Sequence, residues 1–385
     1  MTLQLPMFDL GFGEEVEQAE NPEYISRQLI TYIGNKRGLA DPIERAVREV
    51  RDRVGGRKLR SLDLFSGSGF VSRLLKKHSS LIAANDMEAY ARAVSECYLS
   101  NRDEKLLAEA AALVAHLNDV AAKGVVRDGF IRDLYSPADD TNIKFGERVF
   151  YSSDNARRLD FYAQEIQELP ADMRRLLLGP LLSKASIHAN TGGVFKGFYK
   201  DKHTGIGKFG AAAGDAVSRI LAPIELEVPV MSMLETEHEI YQQDANTLAA
   251  NMGEFDLVYI DPPYNQHPYG SNYFMLNLLT NYERPKEVSK VSGIPTDWNR
   301  SGYNVRKQAL PLLDELFAAI PARFILVSFN SEGYVSTDEI KSVLGKHGRV
   351  DEMIVKYNTY RASRNLRNRE IHVHEHLLLL DRFAS

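Results

Sequence analysis

A short acidic and proline-rich motif in the second half of the chain combines residue types that can polarise an amine. Asp261, Pro262, Pro263 and Tyr264 follow directly after the apolar run 255–260, which predicts a buried strand. Ligands of open α/β sheets bind beyond the carboxyl ends of the strands, where this tetrapeptide is expected to lie. The Asp261 carboxylate and the Pro262 carbonyl can each accept a hydrogen from an amine, and the two prolines keep both acceptors aimed.

This arrangement fits methylation of the exocyclic amine of adenine. The lone pair of that amine is delocalised into the ring, so the nitrogen must be held in line with a methyl donor and made more tetrahedral before it attacks. Tyr264 offers a flat face for a base rotated out of a duplex. The alternative is a proline-rich turn in which Asp261 only ends the strand, and the companion motifs argue against it.

A glycine turn lies near the start of the predicted sheet, between a strand at 58–64 and a helix at 70–78. Its glycines allow the backbone to approach a ligand closely at the head of a helix. A dinucleotide site would require a third glycine where Ser72 stands, so that match is poor, and an ordinary strand-to-helix turn is the alternative. The candidate cofactor contacts in this segment are Asp63, Phe65, Gly67 and Gly69.

Two further polar residues have spacings that suit a cofactor. Asp86 ends the next short strand, about twenty residues after Asp63, where a carboxylate can accept hydrogens from ribose hydroxyls. It is equally well placed to cap a helix that starts at Met87. Lys36, in the segment 32–36 (Tyr-Ile-Gly-Asn-Lys), can meet a cofactor carboxylate or a phosphate, or be an exposed loop lysine.

The alternation of strand, turn and helix predicts a parallel α/β sheet that is interrupted by an insertion. We assign residues 1–22 to a flexible tail, 23–100 and 240–385 to a catalytic domain, and 101–239 to an inserted, mostly helical domain. Within the insertion, 104–122 and 161–178 are predicted helices and 188–214 is polar and glycine-rich. Two late alternating runs, 351–360 and 371–380, predict a terminal hairpin.

With these motifs in hand, the chain resembles the Dam-type adenine-N6 DNA methyltransferases, the alpha group. That family orders its parts as an aromatic-x-Gly-x-Lys segment, a glycine turn, a target-recognition domain and Asp-Pro-Pro-Tyr. The same order is present here in residues 32–36, 63–69, 101–239 and 261–264. Further matches are 241–244, just before the catalytic strand, and 325–330 (Ile-Leu-Val-Ser-Phe-Asn).

The resemblance implies a class I methyltransferase fold with a mixed seven-stranded sheet, S-adenosylmethionine as cofactor and adenine in double-stranded DNA as target. It also implies that Tyr32, Lys36, Asp86 and Asp261 contact the cofactor and that Asp244 lies near the cofactor adenine. Many members have Glu-Pro-Phe where this chain has 63–65 (Asp-Leu-Phe), so the role of Asp63 stays open. At the position of Asp261, related methyltransferases that act on protein glutamine usually carry Asn, and those that act on N4 of cytosine usually carry Ser. Asp261 therefore favours adenine. An RNA adenine methyltransferase and an inactive binding module with the same fold are the remaining alternatives.

Composition narrows the class of protein without identifying its partner. The formal net charge of −5 argues weakly against nucleic acid, but a basic groove can lie on an acidic body. Basic residues cluster at 196–208 and 361–369, which we interpret as DNA contacts, with a solvated surface loop as the alternative for each. The predicted DNA-binding residues are Lys196, Lys200, Lys202, His203, Lys208, Arg361, Arg364 and Arg367.

The remaining expectations concern location and partners. A single cysteine, Cys97, suits a reducing cytoplasm, and no segment is long and apolar enough to span a membrane. No metal ligand is predicted. Residues 4–8 (Gln-Leu-Pro-Met-Phe) look like the short motif by which bacterial proteins bind the replication sliding clamp.

Overall fold

A computed structural model of the chain describes residues 19–211, 214, 216–263, 265–330, 333–358 and 372–383. In this part of the chain seven strands form one mixed sheet in the order β3-β2-β1-β4-β5-β7-β6, which confirms the predicted fold class. The strands are β1 (Leu59–Asp63), β2 (Ser79–Asn85), β3 (Glu237–Tyr241), β4 (Phe255–Ile260), β5 (Ala322–Asn330), β6 (Arg349–Asn358) and β7 (His372–Asp381).

The strand order reverses between β1 and β4, at the centre of the sheet. From this point the chain adds β2 and β3 on one side and β5 on the other, all parallel. Such a reversal opens a crevice beyond the carboxyl ends of the two central strands. β7 is antiparallel to both β5 and β6, so the predicted terminal hairpin strands do pair.

Helices cover both faces of the sheet. They are α1 (Pro22–Ser26), α2 (Ala40–Arg53), α3 (Phe70–Lys76), α4 (Ala89–Tyr98), α5 (Glu104–Ala122), α6 (Phe130–Tyr135), α7 (Ser153–Gln167), α8 (Ala171–Ile187), α9 (Val217–Leu221), α10 (Ala245–Ala249), α11 (Tyr269–Asn272), α12 (Phe274–Asn281), α13 (Arg306–Ala319) and α14 (Thr337–Leu344). Because successive strand residues point to opposite faces, Leu257 joins the core under α2 and α3, and Val258 joins the core under α10, α13 and α14.

The described helices of the inserted segment pack into the core of the catalytic part. These helices share one continuous apolar cluster with α4 and α12 of the catalytic part. At this junction α8 packs directly on α4, and a Cβ on Gly179 would lie 2.8 Å from the Cys97 sulfur. The single helix predicted at 161–178 is wrong: α7 ends and α8 begins on either side of Pro170, which has no amide hydrogen to continue the first helix.

Two predicted boundaries need correction. The tail was expected to reach Pro22, but Pro22 opens α1 with Asn21 as its side-chain cap, and Glu20 accepts a hydrogen from the Met233 amide at 2.8 Å. The insertion was expected to end at 239, but β3 begins at Glu237. All of β3 pairs with β2, so its first residues belong to the sheet of the catalytic part.

Several predicted features lie outside the described residues. These are the segment 4–8, Tyr264, and the basic run 361–369 with Arg361, Arg364 and Arg367. Among the residues that are described, none of the helices is long and apolar enough to cross a membrane.

Candidate active site

Asp261 lies at the end of β4 and is paired with a lysine from the start of the chain. Lys36 Nζ is 2.9 Å from Asp261 Oδ2 and 3.1 Å from Glu375 Oε1 on β7. Lys36 also donates to the Gly34 carbonyl at 3.3 Å. The lysine side chain is 4% exposed, so its charge needs the compensation that these two carboxylates provide.

The second oxygen of Asp261 is the more informative one. Oδ1 is buried and has no hydrogen-bond partner among the described residues. Burial and the Glu375 carboxylate raise the pKa of Asp261 to about 6, although Lys36 lowers it. The carboxylate is therefore ionised at neutral pH and presents one unused acceptor, which is costly unless a ligand supplies the donor.

The glycine turn and Asp86 form one unit beside Asp261. The Gly67 amide donates to Asp86 Oδ2 at 2.8 Å, and the Glu88 amide donates to Oδ1 at 3.0 Å. Gly67 and Gly69 have φ values of 48° and 71°, which other residues rarely adopt. Asp86 thus links the turn after β1 to the residue before α4, and its carboxylate lines the cleft. The alternative that Asp86 caps a helix starting at Met87 is wrong, because α4 starts at Ala89 after Glu88 and has no side-chain cap.

Three tyrosines form a stacked column on the other side of the turn. The Tyr32 ring lies 4.8 Å from Tyr273 and 5.0 Å from Tyr269, both at 18° between planes. A Cβ on Gly67 would lie 2.7 Å from the Tyr32 hydroxyl. The segment 32–36, the glycine turn and the segment after Asp-Pro-Pro-Tyr therefore pack on one another.

These elements enclose a cleft of about 660 Å³, its open mouth included, at the carboxyl ends of the strands. Phe65 forms one apolar wall, with its ring edge on to Tyr303 at 5.5 Å, and Pro263 and Tyr269 form another part of the lining. The polar lining residues are Asn85, Asp86, Glu88, Gln243, Asp244, Asp261, Asn299, Ser301 and Asn304. A cleft that combines flat aromatic walls with many polar groups suits a ligand that has both a flat base and hydroxyl or charged groups.

The site has an excess of buried negative charge. The buried or half-buried carboxyl groups around it are those of Asp63, Asp86, Glu88, Asp261 and Glu375, and the exposed carboxylate of Asp244 also lines the cleft. Burial raises the pKa values of Asp63 and Glu88 to about 7 and raises that of Asp86 as well. Among the described residues, Lys36 is the cation that forms ion pairs with this group. A ligand that brings positive charge would be favoured here.

The predicted cofactor residues fall into two sets. Tyr32, Phe65, Asp86, Asp244 and Asp261 line the cleft. Lys36, Asp63, Gly67 and Gly69 lie behind its wall: Asp63 is 1% exposed and accepts from the Ser72 hydroxyl at 2.6 Å. Asp244 also caps α10 through the amides of Asn246 and Thr247. Pro262 is buried and Pro263 lines the cleft.

Sequence reasoning missed two acids and a tyrosine of this site. Glu88 accepts from Asn277 Nδ2 at 2.6 Å and Asn299 Nδ2 at 3.3 Å, which fastens the loop after α12 over the cleft. Tyr303 donates to Asn246 at 2.6 Å. Glu375 is fully buried. A usable signal existed for Glu375, since this acid stands two residues before the apolar run 377–380.

The first predicted basic segment forms a small hairpin. The Lys208 amide donates to the Tyr199 carbonyl at 2.9 Å, and the Asp201 side chain caps the turn. Lys196, Lys200, Lys202 and His203 are exposed, and Lys208 is half-buried. At the hairpin base the Phe195 amide donates to the Asn272 carbonyl at 2.7 Å, so the hairpin stands beside the segment that follows the catalytic motif.

No group of acidic, histidine or cysteine side chains in the described ranges has the arrangement of a metal site.

Comparison with known proteins agrees with this geometry. The model of the D12 class N6 adenine-specific DNA methyltransferase family matches residues 32–330. The Type II methyltransferase M.NlaIII of Neisseria lactamica is 28% identical over 341 residues, 87% of this chain and 93% of that protein. M.CviAII of Paramecium bursaria Chlorella virus 1 is 26% identical over 343 residues, 86% and 93% of the two chains. The Type II methyltransferase M.FokI of Planomicrobium okeanokoites is 25% identical over 365 residues, 91% of this chain and 52% of that longer protein. The Lys36–Asp261 pair lies at the carboxyl ends of the strands, and the family model matches most of the chain. This chain therefore belongs to the D12 class of N6 adenine-specific DNA methyltransferases.

Proposed function

We propose that this enzyme transfers a methyl group from S-adenosylmethionine to N6 of an adenine rotated out of double-stranded DNA, with Asp261 as the acceptor that activates the amine. The supporting observation is the state of the Asp261 carboxylate. Oδ2 is held by Lys36 at 2.9 Å, whereas Oδ1 is buried and has no partner among the described residues. The cleft thus offers one directed acceptor at the end of β4, where a bound ligand is expected.

The charge of the cleft supports S-adenosylmethionine as the methyl donor. This molecule carries a sulfonium and an ammonium group, and the cleft has carboxylates in excess, so the two are complementary. The Asp86 carboxylate is placed to accept hydrogens from ribose hydroxyls, and Phe65 and Asp244 line the side on which a nucleobase fits. Lys36 acts through Asp261 in this proposal, because its ammonium is already bound between two carboxylates.

The proposed reaction needs positioning more than acid–base strength. Asp261 Oδ1 accepts one N–H of the adenine amine, and the Pro262 carbonyl accepts the other, which returns the lone pair to the nitrogen. S-adenosylmethionine supplies an electrophilic methyl carbon, so the lone pair forms the new N–C bond as the C–S bond breaks. The displaced proton leaves along the hydrogen bond to Asp261, whose pKa of about 6 suits a transient acceptor.

The DNA contacts are also a proposal. We assign phosphate binding to the exposed side chains of Lys196, Lys200, Lys202 and His203, with the half-buried Lys208 beside them, and target recognition to the insertion 101–239. The hairpin is fastened next to Asn272, close to the proposed position of the target base.

The finer assignment to the Dam-type alpha group is also a proposal, and it rests on the order of motifs. Binding of residues 4–8 to the sliding clamp stays a prediction.

Expression in a methylation-free host followed by modification-sensitive sequencing tests the proposal. We expect wild type to mark adenine in a fixed DNA sequence and Asp261→Ala to abolish the mark. Asp256→Asn is the matched control, because Asp256 is on the same strand but pairs with Arg57 at the other end. A mark on RNA alone, or an adenine mark that survives Asp261→Ala, would overturn it.

A further inference from the structure

Glu375 is a carboxylate that the proposed chemistry leaves without a role. It lies on β7, opposite Asn330 of β5 and Val355 of β6, and it is fully buried next to the apolar run Leu377–Leu380. An acid at such a position is rarely tolerated without a compensating interaction. Its location, two strands away from Asp261, brings it to the same end of the sheet.

The contacts of Glu375 converge on Asp261. The Ser328 hydroxyl donates to Glu375 Oε1 at 2.5 Å, and the same oxygen lies 3.1 Å from Lys36 Nζ. Lys36 in turn lies 2.9 Å from Asp261 Oδ2. The chain of contacts therefore runs from a fixed strand hydroxyl through Glu375 and Lys36 to one specific oxygen of Asp261.

We propose that Glu375 is a positioning residue that holds Lys36 on Oδ2 of Asp261, so that Oδ1 stays available to the substrate amine. Without this anchor the lysine ammonium is free to move toward either oxygen, and an ammonium at Oδ1 competes with the amine hydrogen. This inference rests on the proposed function, because it assigns a role relative to the acceptor in methyl transfer.

Glu375 also affects the charge state of Asp261. The groups that face the Asp261 carboxyl are Lys36, Glu375, Asp63 and Tyr259. Glu375 and Asp63 oppose its ionisation and Lys36 favours it. Removal of the Glu375 charge is therefore expected to lower the pKa of Asp261, which a purely structural role for Glu375 would not produce.

The test compares Glu375→Gln and Glu375→Ala in the full-length enzyme. Asp381→Asn is the matched control, because Asp381 is also a buried acid on β7 but pairs with Arg53 and Arg323. The readouts are the single-turnover methylation rate, KM for S-adenosylmethionine, the pH profile of kcat/KM for the cofactor and the melting temperature. That pH profile reports groups of the free enzyme.

We expect Glu375→Gln to lower the single-turnover rate on the order of tenfold with little change in KM, and Glu375→Ala to lower it further. We expect the acid limb of the Glu375→Gln profile to move down by about one pH unit. Asp381→Asn should lower the melting temperature without moving that limb. A folded Glu375→Gln enzyme with the wild-type rate, or with an acid limb that does not move down, overturns the inference.

If Glu375→Gln fails to fold, Ser328→Ala replaces it, since it removes the hydrogen bond to Glu375 and keeps the charge. A rate for Ser328→Ala equal to that of wild type then overturns the inference, and a loss of rate at unchanged KM supports it. The failure of the proposed function is distinguishable, because it appears as adenine methylation by Asp261→Ala, whatever the Glu375 variants do.

Discussion

Replacement of Lys36 by methionine is the sharpest test of the charge balance around Asp261. Methionine keeps an unbranched side chain of similar length and removes the ammonium that lies 2.9 Å from Oδ2. Because Lys36 lowers the pKa of Asp261, its loss favours the protonated form, which is a weaker acceptor for the amine hydrogen and cannot take up the displaced proton. Activity should therefore require higher pH.

The size of the effect follows from the geometry. An opposite charge at this range lowers a carboxyl pKa by about one to three pH units, so the acid limb is expected to move up by about two. For a carboxyl group that starts with a pKa of about 6, this change lowers the ionised fraction about 25-fold at pH 6.5 and only about 1.1-fold at pH 9. The variant should thus be nearly inactive in mild acid and recover in alkali.

The assay is the pH profile of kcat/KM with a DNA substrate of known target sequence. Lys76→Met is the matched control, because Lys76 is equally buried but donates to the carbonyls of Leu99 and Ser100, away from the cleft. It should destabilise the protein and leave the acid limb in place. An acid limb of Lys36→Met at the wild-type pH, or a loss of activity that alkali does not reverse, would show that Lys36 does not control the ionisation of Asp261.

A stability measurement separates folding from catalysis in the same variant. Lys36→Met removes the ammonium that faces Glu375, and removal of one partner from a buried pair costs about 3–5 kcal/mol. The double variant Lys36→Met with Glu375→Gln removes both charges of this pair, leaves Asp261 without its partner, and should recover part of that loss in denaturant unfolding. With the single variant Glu375→Gln measured as well, losses of the two single variants that simply add up to that of the double variant would show that the pair is not coupled.

Three further predictions concern the cofactor and DNA. Gly67→Ala places a Cβ 2.7 Å from the Tyr32 hydroxyl at a φ of 48°, which strains the turn. We expect calorimetry to show an affinity for S-adenosylmethionine that is reduced on the order of tenfold, and an unchanged affinity would contradict the packing of these motifs. The raised pKa values of Asp63 and Glu88, about 7 each, mean that these acids stabilise the fold fully below their ordinary pKa values and lose this contribution as pH rises through about 7. The cationic cofactor should therefore raise the melting temperature more at pH 8 than at pH 5. S-adenosylhomocysteine lacks the sulfonium charge, so the difference between its effects at the two pH values should be smaller. The same pH dependence for both ligands would argue against charge complementarity. Lys200→Ala with Lys202→Ala should reduce the slope of log K against log salt for DNA binding by about two, and an unchanged slope would exclude the hairpin from phosphate contact.

Local patterns in the sequence were sufficient for the framework of the site. Asp86 and Asp261 each follow a short, mostly apolar strand, β2 and β4, so the carboxyl ends of the strands predicted that both would lie at the same edge of the sheet. The glycine turn was predictable for a different local reason, because its positive φ values require glycine at two positions. The break between α7 and α8 was missed because an apolar period continues across Pro170.

The residue types that follow each strand can be read from the chain alone, since strand formation and turn geometry depend on neighbours along the chain. The meeting of Lys36 and Glu375 at Asp261, with one carboxylate oxygen left without a partner among the described residues, follows from packing between opposite ends of the chain. The core that the insertion shares with α4 and α12 arises in the same way. These features arise from side-chain burial between distant segments, and their energies depend on the distances and desolvation that only the packed molecule defines.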